Sequence, residues 1–459
     1  MKYSKSEIMS RVHKIPELKF EDQNLTSFAG LVIYQPLMMA LELKRRLRSC
    51  FCGLKFSRTF GHPIVTLLLI VHLLIGYRKL RDLDYYQDDP MVKRLLGLNQ
   101  LPDVSTVSRA LSSVTGLGVE RVRELCRNLV IERLVKVALY RLTLDFDGSV
   151  LWTQSRATEG TAVGYNRKKK GARSYYPLFC TLAQTGQVFD VYHRPGNVHD
   201  SHGAREFVLE CIRILRRALP WVRIEIRMDS AFFSDEIVSL LDGHSVEFTL
   251  SVPFERFVEL KQRIQERDRW RVLDATWSYF ECAWKPKKWK KVYRFLFIRQ
   301  RCPVIHKEPI QLDLFIPHEY GYEFKVIVTN KRASAKKILM YHNGRASQES
   351  VFGELKSQSQ MDYIPVRGLY GNQLYMLAAV LAHNLNRELQ MSVKSPERGT
   401  SEKRGPLWIF EELQSLRHRL IQRAWRFTSP QGKLTLTLSA NESVKIEFLD
   451  FLEALKAAA

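Results

Sequence analysis

The chain has 459 residues, enough for two or more domains with sizeable cores. Its 71 basic and 48 acidic residues (71 − 48) leave a net charge of +23, an excess that points to a polyanion partner, most often nucleic acid, with ribosomal and membrane-surface proteins open on charge alone. Hydrophobic content of 45% and aromatic content of 11% exclude a disordered basic tail.

The first two dozen residues are polar and mixed and read as an arm; Met1-Lys-Tyr-Ser-Lys carries no signal-peptide core. Residues 28 to 57 have helical spacing and hold the basic cluster Lys44-Arg45-Arg46-Leu-Arg48. Ile64 to Ile75 is the most apolar run. It is too short to cross a bilayer, is interrupted by His72, and follows Pro63, so it reads as a buried helix within 63–80. In Leu101-Pro-Asp-Val-Ser-Thr-Val-Ser-Arg-Ala-Leu111, Pro102 blocks an earlier helix and Asp103 or Ser105 can cap a new one. That helix would offer Ser105, Thr106, Ser108 and Arg109 to phosphates or bases, or be a plain member of a helical domain. The seven cysteines are scattered, and no CxxC pair suggests zinc, which fits buried thiols in a reducing compartment.

At Tyr140 the period changes to two. Leu142, Leu144 and Phe146 alternate with Thr143, Asp145 and Asp147, giving a strand with one apolar face and two carboxylates on the other. A loop dense in charge follows, Gly164-Tyr-Asn-Arg167-Lys168-Lys169-Lys170-Gly-Ala-Arg173. Strands near 176–183 and 187–193 flank the turn Gln184-Thr-Gly186, and a helix is expected over 202–218. Arg223 to Ser230 is a second alternating strand, ending on Asp229; a helix capped by Ser234 and a strand over 247–253 come next. Asp147 and Asp229 thus end strands that can be neighbours in one mixed sheet.

Residues 254 to 330 are rich in strand formers, with segments near 270–284, 292–299, 311–316 and 324–329. Between two of them, Trp284-Lys-Pro-Lys-Lys-Trp289-Lys-Lys-Val-Tyr293-Arg294 interleaves rings with six basic residues. Such rings can stack on bases while the lysines meet phosphates, unless the tryptophans pack the insertion's own core.

Arg345-Ala-Ser-Gln-Glu349-Ser-Val-Phe-Gly-Glu354-Leu-Lys356 reads as a helix with Arg345, Glu349 and Lys356 on one stripe. Glu354 points elsewhere, and Val351 and Leu355 form an apolar ridge. Taken alone, the stripe reads as a solvated face with an ion pair. Asn372 to Leu389 reads as an amphipathic helix, 392–406 as a linker, 408–427 as a basic helix and Leu434–Leu438 as a strand.

Two carboxylates on adjacent strands and a third on a helix can hold two divalent cations, roughly 3.5–4 Å apart, that clamp both oxygens of a phosphodiester displacement. Magnesium, or manganese, needs only hard oxygen ligands for this.

Three blocks carry a resemblance: Leu144-Asp-Phe-Asp147-Gly-Ser, Arg227-Met-Asp229-Ser-Ala-Phe-Phe233, and Arg345-x3-Glu349-x6-Lys356. Together they resemble a DDE transposase of a bacterial insertion sequence, in the branch with a β-rich insertion between the second Asp and the Glu. Gly164 to Gly171, Arg194-Pro-Gly-Asn197, Leu25 to Leu31 and Ala378 to Leu385 extend the likeness over nearly the whole chain. The resemblance implies an α/β fold with a ribonuclease H-like mixed sheet and flanking helices. The expected divisions are a helical DNA-binding region over 1–135, a catalytic core over 136–253 and 331–391, the β-rich insertion over 254–330, and a basic region over 392–459. It implies Asp147, Asp229 and Glu349 as catalytic metal ligands, with Asp145 as the alternative on the first strand, and Mg2+ or Mn2+ as cofactor, two ions per site. The expected reaction is cleavage at transposon ends and joining of the 3′ hydroxyl to target DNA. A nuclease of the same fold and a retired DNA-binding descendant are the rival readings. Expected DNA contacts are Arg345, Lys356, Tyr341, His342, Trp284, Trp289, Lys168, Lys169, Lys170 and Arg109. A homodimer on DNA, a cytoplasmic, nucleoid-associated location and no membrane partner complete the expectation. One departure stands out: the family's Tyr, three before the Arg, is His342 here, with Tyr341 just before it and the turn signal Asn343-Gly344 after it. Either the helix begins after Gly344, or the Tyr role has shifted.

Overall fold

The computed structural model describes residues 18, 21–54, 60–164, 166, 169–199, 202–301, 321–438 and 440–458. The helix expected over 28–57 is broken into a 3-10 turn, Ala29–Ile33, and helices Tyr34–Ala40 and Leu43–Cys50. The break falls at Glu42, whose φ is 49°. Helix α1 (His62–Ile75) is apolar all round and buried except at Ile64. It ends at Gly76, where φ is 102° and the left-handed C-terminal turn favours glycine. The next helices are Pro90–Leu96 and Val104–Ser113; the second starts as expected, with the Asp103 carboxylate accepting from the Thr106 N–H. Helix α2 (Gly116–Val137) leads into the sheet. Its Arg123 and Arg127 donate to the buried Asp190 carboxylate, which ties the helical region to the core.

The sheet core consists of β1 (Arg141–Gly148), β2 (Leu178–Leu182), β3 (Val188–Tyr192), β4 (Arg223–Met228) and β5 (Glu247–Val252). The spatial order is β3-β2-β1-β4-β5; β2 is antiparallel to β1 and β3, while β4 and β5 run parallel to β1. This order and polarity is the ribonuclease H-like arrangement that was expected. Helix α3 (Ala204–Ala218) crosses from β3 to β4, and Asp235–Gly243, capped by Ser234, crosses from β4 to β5.

Among the described residues the insertion builds no sheet of its own. Strands β6 (Arg271–Val272), β7 (Trp277–Trp284), β8 (Tyr293–Arg301) and β9 (Tyr322–Thr329) extend the core sheet to nine strands. The junction is β9 against β5, antiparallel, from Val326 opposite Val252 to Thr329 opposite Thr249. The strand expected over 311–316 lies outside the described residues.

Three helices follow: α4 (Ala335–Asn343), α5 (Ala346–Ser357) and α6 (Leu369–Val393). Helix α6 is buried on every side rather than amphipathic, because α1 and α2 pack on it and the Asn384 amide bonds the backbone of Val188 on β3. The basic helix expected over 408–427 shrinks to Leu413–Leu416 and a π-turn, Arg417–Ile421. Arg417 is buried there and donates to the carbonyls of Leu73 and Leu74, satisfying acceptors that the end of α1 leaves open. The strand Trp425–Thr428 pairs with Leu25–Thr26 and with Thr435–Thr437, and a last helix, Glu442–Ala458, was not expected. Among the described residues no helix is long and apolar enough to cross a membrane.

Candidate active site

Alternation along β1 puts Leu142, Leu144 and Phe146 into one core layer and Thr143, Asp145 and Asp147 onto the opposite face. Strand β4 runs parallel in the register Asp145–Arg227 and Phe146–Met228. The next step of that register sets Asp147 beside Asp229, at the end where both strands stop. Behind the acid pair, on the same face, lies a base–acid pair. Asp145, 1% exposed, accepts from Arg227 Nε at 2.6 Å and Nη2 at 2.7 Å. Both oxygens of Asp145, the alternative first ligand, are engaged by this buried guanidinium.

Asp147 keeps partial exposure. Its Oδ1 accepts from the Gly148 N–H at 2.8 Å and its Oδ2 from Arg345 Nη1 at 3.0 Å. Burial first, and then the negative charge of Asp229, push its carboxyl up to about 6, against the opposing pull of Arg345. Asp229 opens a 3-10 turn, and its Oδ1 accepts from the Ala231 N–H at 3.0 Å. The negative charge of Asp229 beside the partly buried Asp147 carboxylate is of the kind a bound cation offsets.

The break at Gly344 resolves the first alternative for the third block: α4 ends at Asn343, and α5 starts at Ala346 with Arg345 as its N-terminal cap residue. Glu349 lies exposed in the first turn, where the helix N-terminus favours a carboxylate. It is one turn, about 6 Å, along the axis from Arg345 and on the same face. Val351 and Leu355 are buried as the apolar ridge requires, and Glu354 points away to an ion pair with Arg387 on α6. Among the described residues no three His, Cys, Asp or Glu side chains converge as a metal-holding group.

Several expected DNA contacts are placed elsewhere. His342 is buried, with Nδ1 3.0 Å from Thr249 Oγ1 and Nε2 2.9 Å from Ser251 Oγ. Burial, then the charges of Lys325, Arg345 and Arg227, hold its ring well below the usual histidine range, hence neutral. Tyr341 is buried with its ring between Arg227 and Lys331. Both residues are buried where the end of α4 meets the sheet. Trp284 and Trp289 are each 7% exposed. The Trp284 N–H donates to Glu259 and its ring meets Phe257 and Phe295 edge-on; Trp289 packs against Phe233, four residues past Asp229, at 4.8 Å. The hairpin folds its rings inward because burying two indoles outweighs exposing them, and leaves Lys287, Lys288 and Lys290 in solvent. The rings are thus packed in the core rather than presented at the surface for stacking.

Lys169 and Lys170 sit beyond β1; the Lys169 ammonium lies 4.0 Å over the Trp152 ring, and Lys170 is exposed. Lys168 lies outside the described residues. Arg109 is exposed on Val104–Ser113, and Lys356 is half-buried in the last turn of α5. Sequence reasoning missed Arg227 and Gln348, whose amide donates to the Asp145 carbonyl at 2.9 Å. The signal was present: an acid and a base stand two residues behind Asp147 and Asp229, on the same strand faces.

The family profile described as Transposase DDE domain group 1 matches residues 11–459. The piggyBac transposase synaptic complex with hairpin DNA is 13% identical, with a TM-score of 0.41 over 86% of this chain and 80% of that one. The Mos1 transposase paired-end complex with the left transposon end is 14% identical, with a TM-score of 0.19 over 37% of this chain and 56% of that one. The Mos1 mariner paired-end complex with Mn is 12% identical, with a TM-score of 0.17 over 48% and 76%. At these scores the likenesses bear no argument about the site. No curated protein matches the chain.

Proposed function

The chain belongs to the DDE transposase family, which makes it a DNA-binding, metal-dependent enzyme of DNA cleavage and strand transfer, and on that premise we propose that Asp147, Asp229 and Glu349 carry its chemistry. The observation that supports this most is the adjacency of Asp147 and Asp229 at the ends of two parallel strands, with Arg345 bridging from α5. The donor set fits a hard divalent cation: carboxylate oxygens, with the nearby His342 already bonded on both ring nitrogens. Asp147, Asp229 and Glu349 would hold Mg2+ or Mn2+, two ions in our reading, which when bound stabilise charge on the attacking and leaving oxygens.

The protein's own groups do the rest. Arg345 neutralises Asp147 and, with Lys356 further along the same stripe of α5, offers positive charge to the phosphate backbone. Glu349, on the same face of α5 as Arg345, completes the set in this reading. The substrates in this reading are transposon ends and target DNA, held by a homodimer, with the exposed Arg109, Lys169 and Lys170 as backbone contacts; the setting is the bacterial nucleoid.

The experiment is strand transfer of a pre-cut end into a plasmid by purified protein with Mg2+. Joined product is expected, and its loss in Asp147→Asn, Asp229→Asn and Glu349→Gln with DNA binding retained. Full cleavage by any of the three variants overturns its assignment.

A further inference from the structure

We propose that Asp145 and Arg227 act as a positioning pair that sets α5, and with it Arg345 and Glu349, over Asp147 and Asp229. This rests on the ligand assignment above.

Arg227 is fully buried and its guanidinium faces three elements at once. Nε and Nη2 grip both oxygens of Asp145, two residues behind Asp147 on β1. Nη1 donates to the Tyr341 carbonyl at 2.9 Å and to the Lys403 carbonyl at 2.7 Å. Tyr341 lies at the end of α4, so the guanidinium fixes where the chain turns toward α5. The turn itself is Gly344, and a Cβ there would collide with the Lys403 carbonyl and with Arg227 Nη1. Glycine is required here for room, not for dihedral freedom, since its φ is −59°. A second tie comes from α5 itself, through the bond from the buried Gln348 amide to the Asp145 carbonyl. Gln348 precedes Glu349, and Arg345 reaches Asp147 from the same turn.

The rigid planar fork is the reason for arginine. A lysine keeps the charge but cannot serve two carboxylate oxygens and two carbonyls together. Arg227, Asp145 and Gln348 are all buried, so the pair acts through the residues it places.

The test compares Arg227→Lys and Gln348→Met with the parent chain and with Glu349→Gln. Four quantities are read: melting temperature, affinity for an end-containing duplex, single-turnover cleavage, and Mn2+ affinity without DNA by calorimetry. Partners that orient ligands typically carry about ten- to a hundredfold in metal affinity or activity, so Arg227→Lys should lose that much in cleavage and weaken Mn2+ binding in step, with DNA affinity near the parent's. Gln348→Met, which removes one hydrogen bond and keeps the length, should move both quantities the same way by a smaller factor; it decides the matter if Arg227→Lys does not fold. Variants that melt earlier but cleave and bind Mn2+ like the parent would overturn the proposal and leave a stability role. If instead Glu349→Gln cleaves fully, the ligand assignment fails, an outcome separate from failure of the positioning pair.

Discussion

Arg345 Nη1 lies 3.0 Å from Asp147 Oδ2, although the two residues are 198 positions apart in the chain. The contact exists because α5 starts at Ala346; a shift of one residue would swing Arg345 about 100° round the helix. Arg345→Gln should therefore leave Asp147 less compensated and lower cleavage by about ten- to a hundredfold. Arg345→Lys should recover part of the loss. Parent-like cleavage by Arg345→Gln in a single-turnover assay would dismiss the contact as incidental.

Asp147 supplies a pH prediction. Its carboxyl is raised to about 6, first by burial and then by Asp229. A raised carboxyl favours folding while protonated, so this contribution is whole below about pH 4 and is lost as pH rises through about 6. In metal-free protein at pH 7.5, Asp147→Asn should raise stability by on the order of 2–3 kcal/mol while abolishing cleavage. Thermal melts at pH 4 and 7.5 check it: the gain should appear only at the higher pH and shrink when Mg2+ stabilises the parent.

Glu225 behaves in the opposite sense. Burial pushes its carboxyl up, but Lys331 and Arg404 outweigh this and hold it at about 2. The stabilisation is present above about pH 4.5 and is lost as pH falls toward 2. Glu225→Gln leaves Lys331, Arg404 and Arg141 short of a partner and should cost about 3–5 kcal/mol at pH 7. Denaturant melts should show the gap from the parent narrowing below pH 4.5.

Trp289→Ala should cost about 3–5 kcal/mol, as loss of a packed indole does. The Phe233 contact lies in the loop that follows Asp229, so cleavage should fall as well. Binding to a blunt duplex and to one with an unpaired terminal base should drop equally. A selective loss on the unpaired end would return the ring to a stacking role.

Duplex binding should weaken steeply with salt, since a chain of charge +23 releases many counterions on binding. A fall on the order of a thousandfold between about 50 and 200 mM salt corresponds to six or more neutralised phosphates. A nearly flat titration would leave the net charge without a role in binding.

What could be read in advance follows from the range of the signal. The acid-ended strands, the Asp103 and Ser234 caps and the apolar ridge of α5 are encoded within a few neighbouring residues, and all are present. Arg227 escaped because a fully buried arginine is rare unless paired, and its partner is on another strand. The tryptophans escaped because their neighbours, Phe233, Phe257 and Phe295, come from three separate segments. The last helix was readable, since Phe448, Phe451, Leu452 and Leu455 keep helical spacing; Arg417 was not, because its partners are carbonyls 59 residues away on Gln358 and more than 340 away on Leu73 and Leu74.

Helix α6 has a further consequence, for the order of synthesis. The amino-terminal helices leave the ribosome early, yet the surface of α1 that α6 covers stays bare until residues 369–393 are made. The pairing of Leu25–Thr26 with Trp425–Thr428 waits longer still. Contacts of such separation are slow to form and leave apolar surface open to aggregation meanwhile. A nascent or truncated chain ending before α6 should thus lack a settled amino-terminal region.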